Sequence, residues 1–218
     1  MNLDSLVLEK ELSGWTLFWA DLEVTGKAGE ELDSLRSLRT RVAEEARQRL
    51  DIETLATDPT VAALRRLFKQ AGTDPSRYRP ASEALLRRLL KGGELPAISP
   101  MVDINNCLSA ELAVPCCVMA EGTFEPQMVW RVGKEGESYR SLKGPFKLEG
   151  RPLLCDGRGP LDTPITGNER VKVSQDTRRA WLVAYLPSGT VRPERVRDTL
   201  ERLVKQAPVV RILDTAVS

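Results

Sequence analysis

The spacing of apolar residues changes near residue 95, and that change restricts the folds open to this 218-residue chain. Before it, apolar side chains recur at helical spacing. Leu32, Leu35, Leu38, Val42 and Ala46 line one side of the stretch 29–50, predicting a helix there. VAALRRLFKQAG (61–72) predicts a second helix, ended by Gly72, and SEALLRRLLKGG (82–93) a third, with Ser82 as N-cap, Leu85, Leu86, Leu89 and Leu90 on one face, and Gly92 as its stop. After residue 95 Pro and Gly recur, and MVWRVG (128–133), SYRSLKG (138–144), FKLEGRPLLCD (146–156) and AWLVAYLP (180–187) read as strands bounded by turns. TLFWADLEV (16–24) reads as an early strand, and 191–217 as a closing helix and strand. With 41% hydrophobic and 29% charged residues, a chain of this length buries roughly two-thirds of its unfolded surface. The expected class is mixed α+β, one domain with helices packed on a largely antiparallel sheet.

Charge is unevenly placed. Residues 1–60 hold thirteen acids against seven Lys and Arg, an acidic entry. Residues 61–93 reverse the sign: Arg65, Arg66, Lys69, Arg77, Arg79, Arg87, Arg88 and Lys91 face only Asp74 and Glu83. Two readings stand. The cations are the solvated backs of two amphipathic helices, or they form a face for nucleic-acid phosphates, a contact that carries no sequence information. Tyr78, between two arginines, either stacks a base or packs within its turn.

The sequence contains no histidine, which excludes Ser-His-Asp and Cys-His hydrolysis and every zinc site that needs an imidazole. Cys107, Cys116, Cys117 and Cys155 lack C-x-x-C spacing, so reduced thiols are expected, with no metal. Neither a P-loop nor a G-x-G-x-x-G motif occurs, and no cofactor is expected. MNLDSLVLEKELSG does not read as an export leader, and no run is apolar enough for a membrane helix; a cytoplasmic protein is expected.

Two stretches concentrate candidate chemistry. In LPAISPMVDINNCLSAELAVP (95–115), Asp103, Asn105 and Asn106 interrupt an apolar run. Buried amides and carboxylates need hydrogen-bond partners, so Asn105 and Asn106 either buttress the start of a helix at 107–113 or point into a pocket. The segment 156–177 is too rich in Gly, Pro, Asp and Thr to be regular over most of its length, the pattern of a functional or mobile loop.

The run from Leu64 to Asn106, followed in order by GESYRSLKG (136–144), LLCDGRGP (153–160) and TRRAWLVAYLP (177–187), resembles the stand-alone form of the B3/B4 domain, the editing module of the phenylalanyl-tRNA synthetase beta subunit. The resemblance spans about 60–190. It divides the chain into an acidic N-terminal strand and helix layer (1–60), a B3/B4-like core (61–190) and a C-terminal helix and strand (191–218). It implies a trans-acting deacylase, in which a water positioned by backbone and polar side chains, with the ribose hydroxyl assisting, hydrolyses the ester of a mischarged tRNA. The alternative is a non-catalytic module for tRNA or an amino-acid-like ligand. The implied partner is the aminoacylated 3′ end of tRNA, not DNA and not a membrane.

On this combined reading Asn105 and Asn106 position the substrate amine or water, and Glu169 is either the base or an exposed loop acid. Asp103, Cys117, Asp156, Thr166 and Asn168 line the pocket. Arg65, Lys69, Arg77, Tyr78, Arg79, Arg87, Arg88 and Lys91 contact tRNA. Cys117 stands where the synthetase module carries a pocket histidine, and an apolar residue around Val183 where it carries a glutamate.

Overall fold

The computed structural model describes residues 2–25 and 32–218. Its main sheet has the order β10-β2-β9-β3, all antiparallel, formed by Val210–Val217, Trp15–Val24, Arg179–Pro187 and Cys116–Ala120. A second sheet, β1-β4-β7-β8, is built from Val7–Lys10, Gln127–Val132, Pro152–Asp156 and Gly159–Asp162, with β1 parallel to β4. Ser138–Ser141 (β5) and Gly144–Lys147 (β6) form a separate hairpin.

Strand periodicity sorts the main sheet into two faces. Phe18, Ala20, Leu22, Val118, Leu182, Ala184 and Leu186 face a helical layer. That layer consists of α1 (Leu32–Arg49), α3 (Ala81–Leu90), α4 (Pro100–Leu112) and α5 (Pro193–Gln206). Trp15, Leu17, Trp19, Met119, Trp181, Val183 and Tyr185 face the opposite way, onto Met128, Trp130, Leu154 and Leu161 of the second sheet and onto Leu64 and Phe68 of α2 (Pro59–Gln70). The main sheet is therefore covered on both faces, which accounts for the unbroken apolar run of β9. The fold is mixed α+β, as its apolar spacing predicts. No helix among the described residues is long and apolar enough to cross a membrane.

Within the first 60 residues, β2 lies inside the main sheet between β9 and β10. The expected helix over 29–50 is described from Leu32, and residues 29–31 lie outside the described residues. Three local expectations change. FKLEGRPLLCD is not one strand: β6 ends at Lys147, Gly150 takes φ +69°, and β7 begins at Pro152. Pro80, not Ser82, holds the N-cap position of α3; Ser82 is the second helical residue, its hydroxyl buried and without a hydrogen-bond partner. The helix expected from Cys107 begins at Pro100, where proline's fixed φ and missing N–H suit the first turn, so Asn105 and Asn106 are mid-helix residues.

Candidate functional site

β3, β8 and β9 converge on one buried carboxylate. Cys117 and Val183 are register partners across β3 and β9, and Tyr185 lies two residues along β9 on the same face. Tyr185 Oη donates to Asp162 Oδ2 at 2.6 Å, and Asp162, at the end of β8, is 1% exposed. The Cys117 thiol, which donates to Val118 O at 3.7 Å, and the Thr163 N–H, which donates to Thr166 O at 3.3 Å, lie beside this carboxylate and favour its charged form. Burial raises the Asp162 pKa from 3.8 to about 7, against the opposing pull of those three donors. Burial, reinforced by the Asp162 charge, holds both the Cys117 thiol and the Tyr185 phenol well above their ordinary values, so both keep their protons.

The chain after β8 folds back over this carboxylate. Thr163 Oγ1 donates to the Thr166 carbonyl at 2.9 Å and accepts from the N–H groups of Ile165 and Thr166. Tyr139 Oη donates to the same carbonyl. A Cβ on Gly167 would stand 3.1 Å from Asp162 Oδ1 and 3.6 Å from Cys117 Sγ, so the bare backbone passes directly over the acid. Asn168 anchors the far end, its Nδ2 donating to Pro160 O at 2.8 Å and its Oδ1 accepting from Arg170 N at 2.9 Å. Between them these bonds pin a segment whose composition alone reads as loop.

Of the residues singled out in the sequence, Cys117, Thr166 and Asn168 meet here. Others lie apart. Asp156 ends β7 and binds Arg170 through both oxygens (2.9 and 3.2 Å) while accepting from the N–H groups of Glu125 and Arg158. Burial opposes ionisation of Asp156, but these donors outweigh it and hold its pKa below the ordinary value. Asp103 ties α4 to α1 through Arg39 and accepts from Ile98 N at 2.9 Å. Asn105 Nδ2 donates to Asn106 Oδ1 at 3.4 Å, and Asn105 Oδ1 is buried without a partner. No hydrogen bond among the described residues joins this pair to Asp162. Glu169 is exposed and ion-paired with Arg140 at 3.0 Å.

A family model described as B3/4 domain matches residues 63–217. The chain belongs to the B3/4 domain family. A crystal structure of an N-terminal fragment of the phenylalanyl-tRNA synthetase beta-subunit from Pyrococcus horikoshii is similar with a TM-score of 0.47 and 13% identity, over 97% of this chain and 50% of that one. The B3/4 chain thus spans about half the length of that fragment. No curated protein matches it.

The cationic stretch of this B3/4 protein divides in two. Arg65 and Arg87 turn inward onto Glu83, a fully buried carboxylate, at 2.9 and 3.0 Å. Lys69, Arg77, Arg79, Arg88 and Lys91 are exposed. Tyr78 is half-buried, packed edge-on to Phe146 at 6.1 Å. The start of α3 touches the site itself, since Ala81 N donates to Pro164 O at 2.8 Å.

Sequence reasoning passes over Tyr139, Asp162, Thr163, Gly167 and Tyr185. Two of them leave a signal. A tyrosine in a strand as apolar as AWLVAYLP needs a hydrogen-bond partner for its hydroxyl, and an aspartate directly after the apolar Leu161 is placed to be one.

Proposed function

We propose that this B3/4 protein binds tRNA and hydrolyses, in trans, the ester of a mischarged tRNA at the Thr163–Gly167 segment. The observation that carries this reading is the bond from Ala81 N to Pro164 O. It sets the exposed cations Arg77 and Arg79, in the turn leading into α3, beside the polar segment over Asp162, so that phosphate contacts and an acyl-binding site adjoin. Membership of the B3/4 family supports a tRNA-related role.

In this reading a water adds to the ester carbonyl, the acyl–oxygen bond breaks, and the ribose oxygen leaves with a proton. An aminoacyl ester is already activated, so orientation supplies most of the acceleration and no histidine is required. Glu169, next to Asn168 in the chain, takes the water's proton on leaving Arg140, and Cys117, Thr166 and Asn168 shape the acyl pocket. Asp162 holds the segment in place from beneath. A cytoplasmic setting fits this role.

The pairing of Glu169 with Arg140 also favours a second reading, a module that binds tRNA or an amino-acid-like ligand without turnover, because the proposed base is held by a cation. Deacylation of a panel of mischarged tRNAs at low and moderate salt, with Glu169→Gln alongside, decides between them. Loss of one ester faster than the blank, and slowed in the variant, is the outcome expected of the hydrolase. Salt-sensitive binding without turnover leaves the binding module.

A further inference from the structure

Buried charges in proteins are paired, and the arginines of this protein follow that rule with one exception. Arg39, Arg131 and Arg170 each meet a carboxylate. Arg151 does not. Among the described residues it is the one arginine less than a tenth exposed, at 6%, and it forms no ion pair. Its Nη1 donates to Glu149 O at 2.8 Å, its Nε is buried without an acceptor, and its Nη2 donates to no described residue. One edge of the guanidinium fork is left over.

The surroundings hold that fork in place. Its carbon lies 3.9 Å from the Tyr78 ring centroid and 5.1 Å from that of Phe146. Arg77 approaches the same tyrosine at 5.3 Å, so two guanidinium groups share one ring. The turn carrying Arg151 is fastened on two sides. Thr73 Oγ1 donates to Gly150 O at 2.6 Å, and Gly133 exchanges backbone bonds with Gly150 and Arg151 at 2.9 and 2.8 Å. A Cβ on Gly72 would lie 3.7 Å from Gly150, a close passage of two backbones. Aromatic faces attract a cation but do not neutralise it, and two adjacent cations without an acid call for an anion.

We propose that Arg151, stacked on Tyr78 and flanked by Arg77, is a phosphate-binding residue that takes one phosphodiester of the bound tRNA on Nη2 of its guanidinium. The proposal rests on the tRNA reading above, and assigns Tyr78 to orienting this arginine.

The test is binding of end-labelled total tRNA to wild type, Arg151→Met and Arg151→Lys across a salt series. Loss of roughly tenfold in affinity in Arg151→Met, with the salt slope shallower by about 1, is expected for one lost phosphate contact. Lysine, a point charge without the fork, restores only part of it. Wild-type binding that Arg151→Met leaves unchanged in affinity and slope overturns the assignment while the tRNA reading stands. No wild-type binding even at low salt overturns both. Should the methionine variant not fold, the Arg151 Nε–Hε resonance of wild type decides. It is expected to shift on adding total tRNA at concentrations where inorganic phosphate does nothing. A resonance that stays fixed at saturating tRNA, or that responds to free phosphate alone, overturns the assignment.

Discussion

Tyr185 on β9 and Asp162 on β8 are joined by a 2.6 Å hydrogen bond that crosses from the main sheet to the second sheet. Removing the hydroxyl leaves a buried carboxylate one donor short. Tyr185→Phe is expected to destabilise the fold by about 1–3 kcal/mol, read from chemical denaturation.

Asp162 also sets a pH dependence. Its pKa is raised from 3.8 to about 7 in the folded protein, so between those values the folded state holds a proton that the unfolded chain has released. The stability it contributes is fully present below about 3.8 and is lost as pH rises through about 7. Melting temperatures of wild type and Asp162→Asn, compared between pH 4 and pH 8 on the scale set by that shift, are expected to diverge in the variant's favour as pH rises. A gap that stays constant would show that Asp162 does not titrate in this range.

Gly167 has a steric role. A methyl group there meets Asp162 Oδ1 at 3.1 Å, and the loop or the carboxylate must yield. Gly167→Ala is expected to cost about 1–2 kcal/mol and, under the proposed function, to slow deacylation more than it weakens tRNA binding. Single-turnover rates set beside binding titrations separate the two effects.

Asp156 behaves oppositely to Asp162. Its pKa lies below the ordinary value, so its stabilising contribution is present above pH 3.8 and is lost as pH falls through the lowered folded value. Arg170→Met strips two of its hydrogen bonds and is expected to lower stability by about 2–3 kcal/mol near neutrality. The difference from wild type shrinks once the carboxyl is protonated, which acid titration of the urea midpoint measures.

The cations of 61–93 are expected to separate experimentally into two groups. Arg65→Met exposes the charge of buried Glu83 and is expected to lower stability by about 2 kcal/mol. Lys69→Gln, at an exposed position, is expected to leave the melting temperature unchanged and to reduce the salt slope of tRNA binding by about 1. A melt and a salt series on each variant give both readouts.

Elements with a sustained period are legible in the amino-acid sequence. The spacing of α2, α3 and α5 and the apolar runs of β2 and β9 announce themselves because each buries a defined stripe or both faces of a strand. Strand β3 is not legible: Cys116 and Cys117 fall in no element that the spacing predicts, and their strand character comes from pairing with Ala184 and Val183. The site is half visible. Cys117 emerges from the B3/4 resemblance and Thr166 and Asn168 from the irregular composition of 156–177, whereas Asp162 sits among Gly, Pro and Thr, where an acid looks solvated. Only the tertiary approach of Tyr185 and the glycine backbone above reveals that it is dry. Asn105 and Asn106 read as flanking a helix because Pro100 starts α4 earlier than the apolar spacing suggests.

Strand β2 leaves the ribosome early, yet the strands on either side of it, β9 and β10, are the last two described strands in chain order. At roughly 5–20 residues per second, the nascent chain carries Trp15, Leu17 and Trp19 without their sheet neighbours for about 10–40 s. Consolidation of the main sheet consequently waits until every other sheet has been synthesised. A stalled or truncated product ending before β9 would present an apolar strand with two open edges, a natural client for holding chaperones.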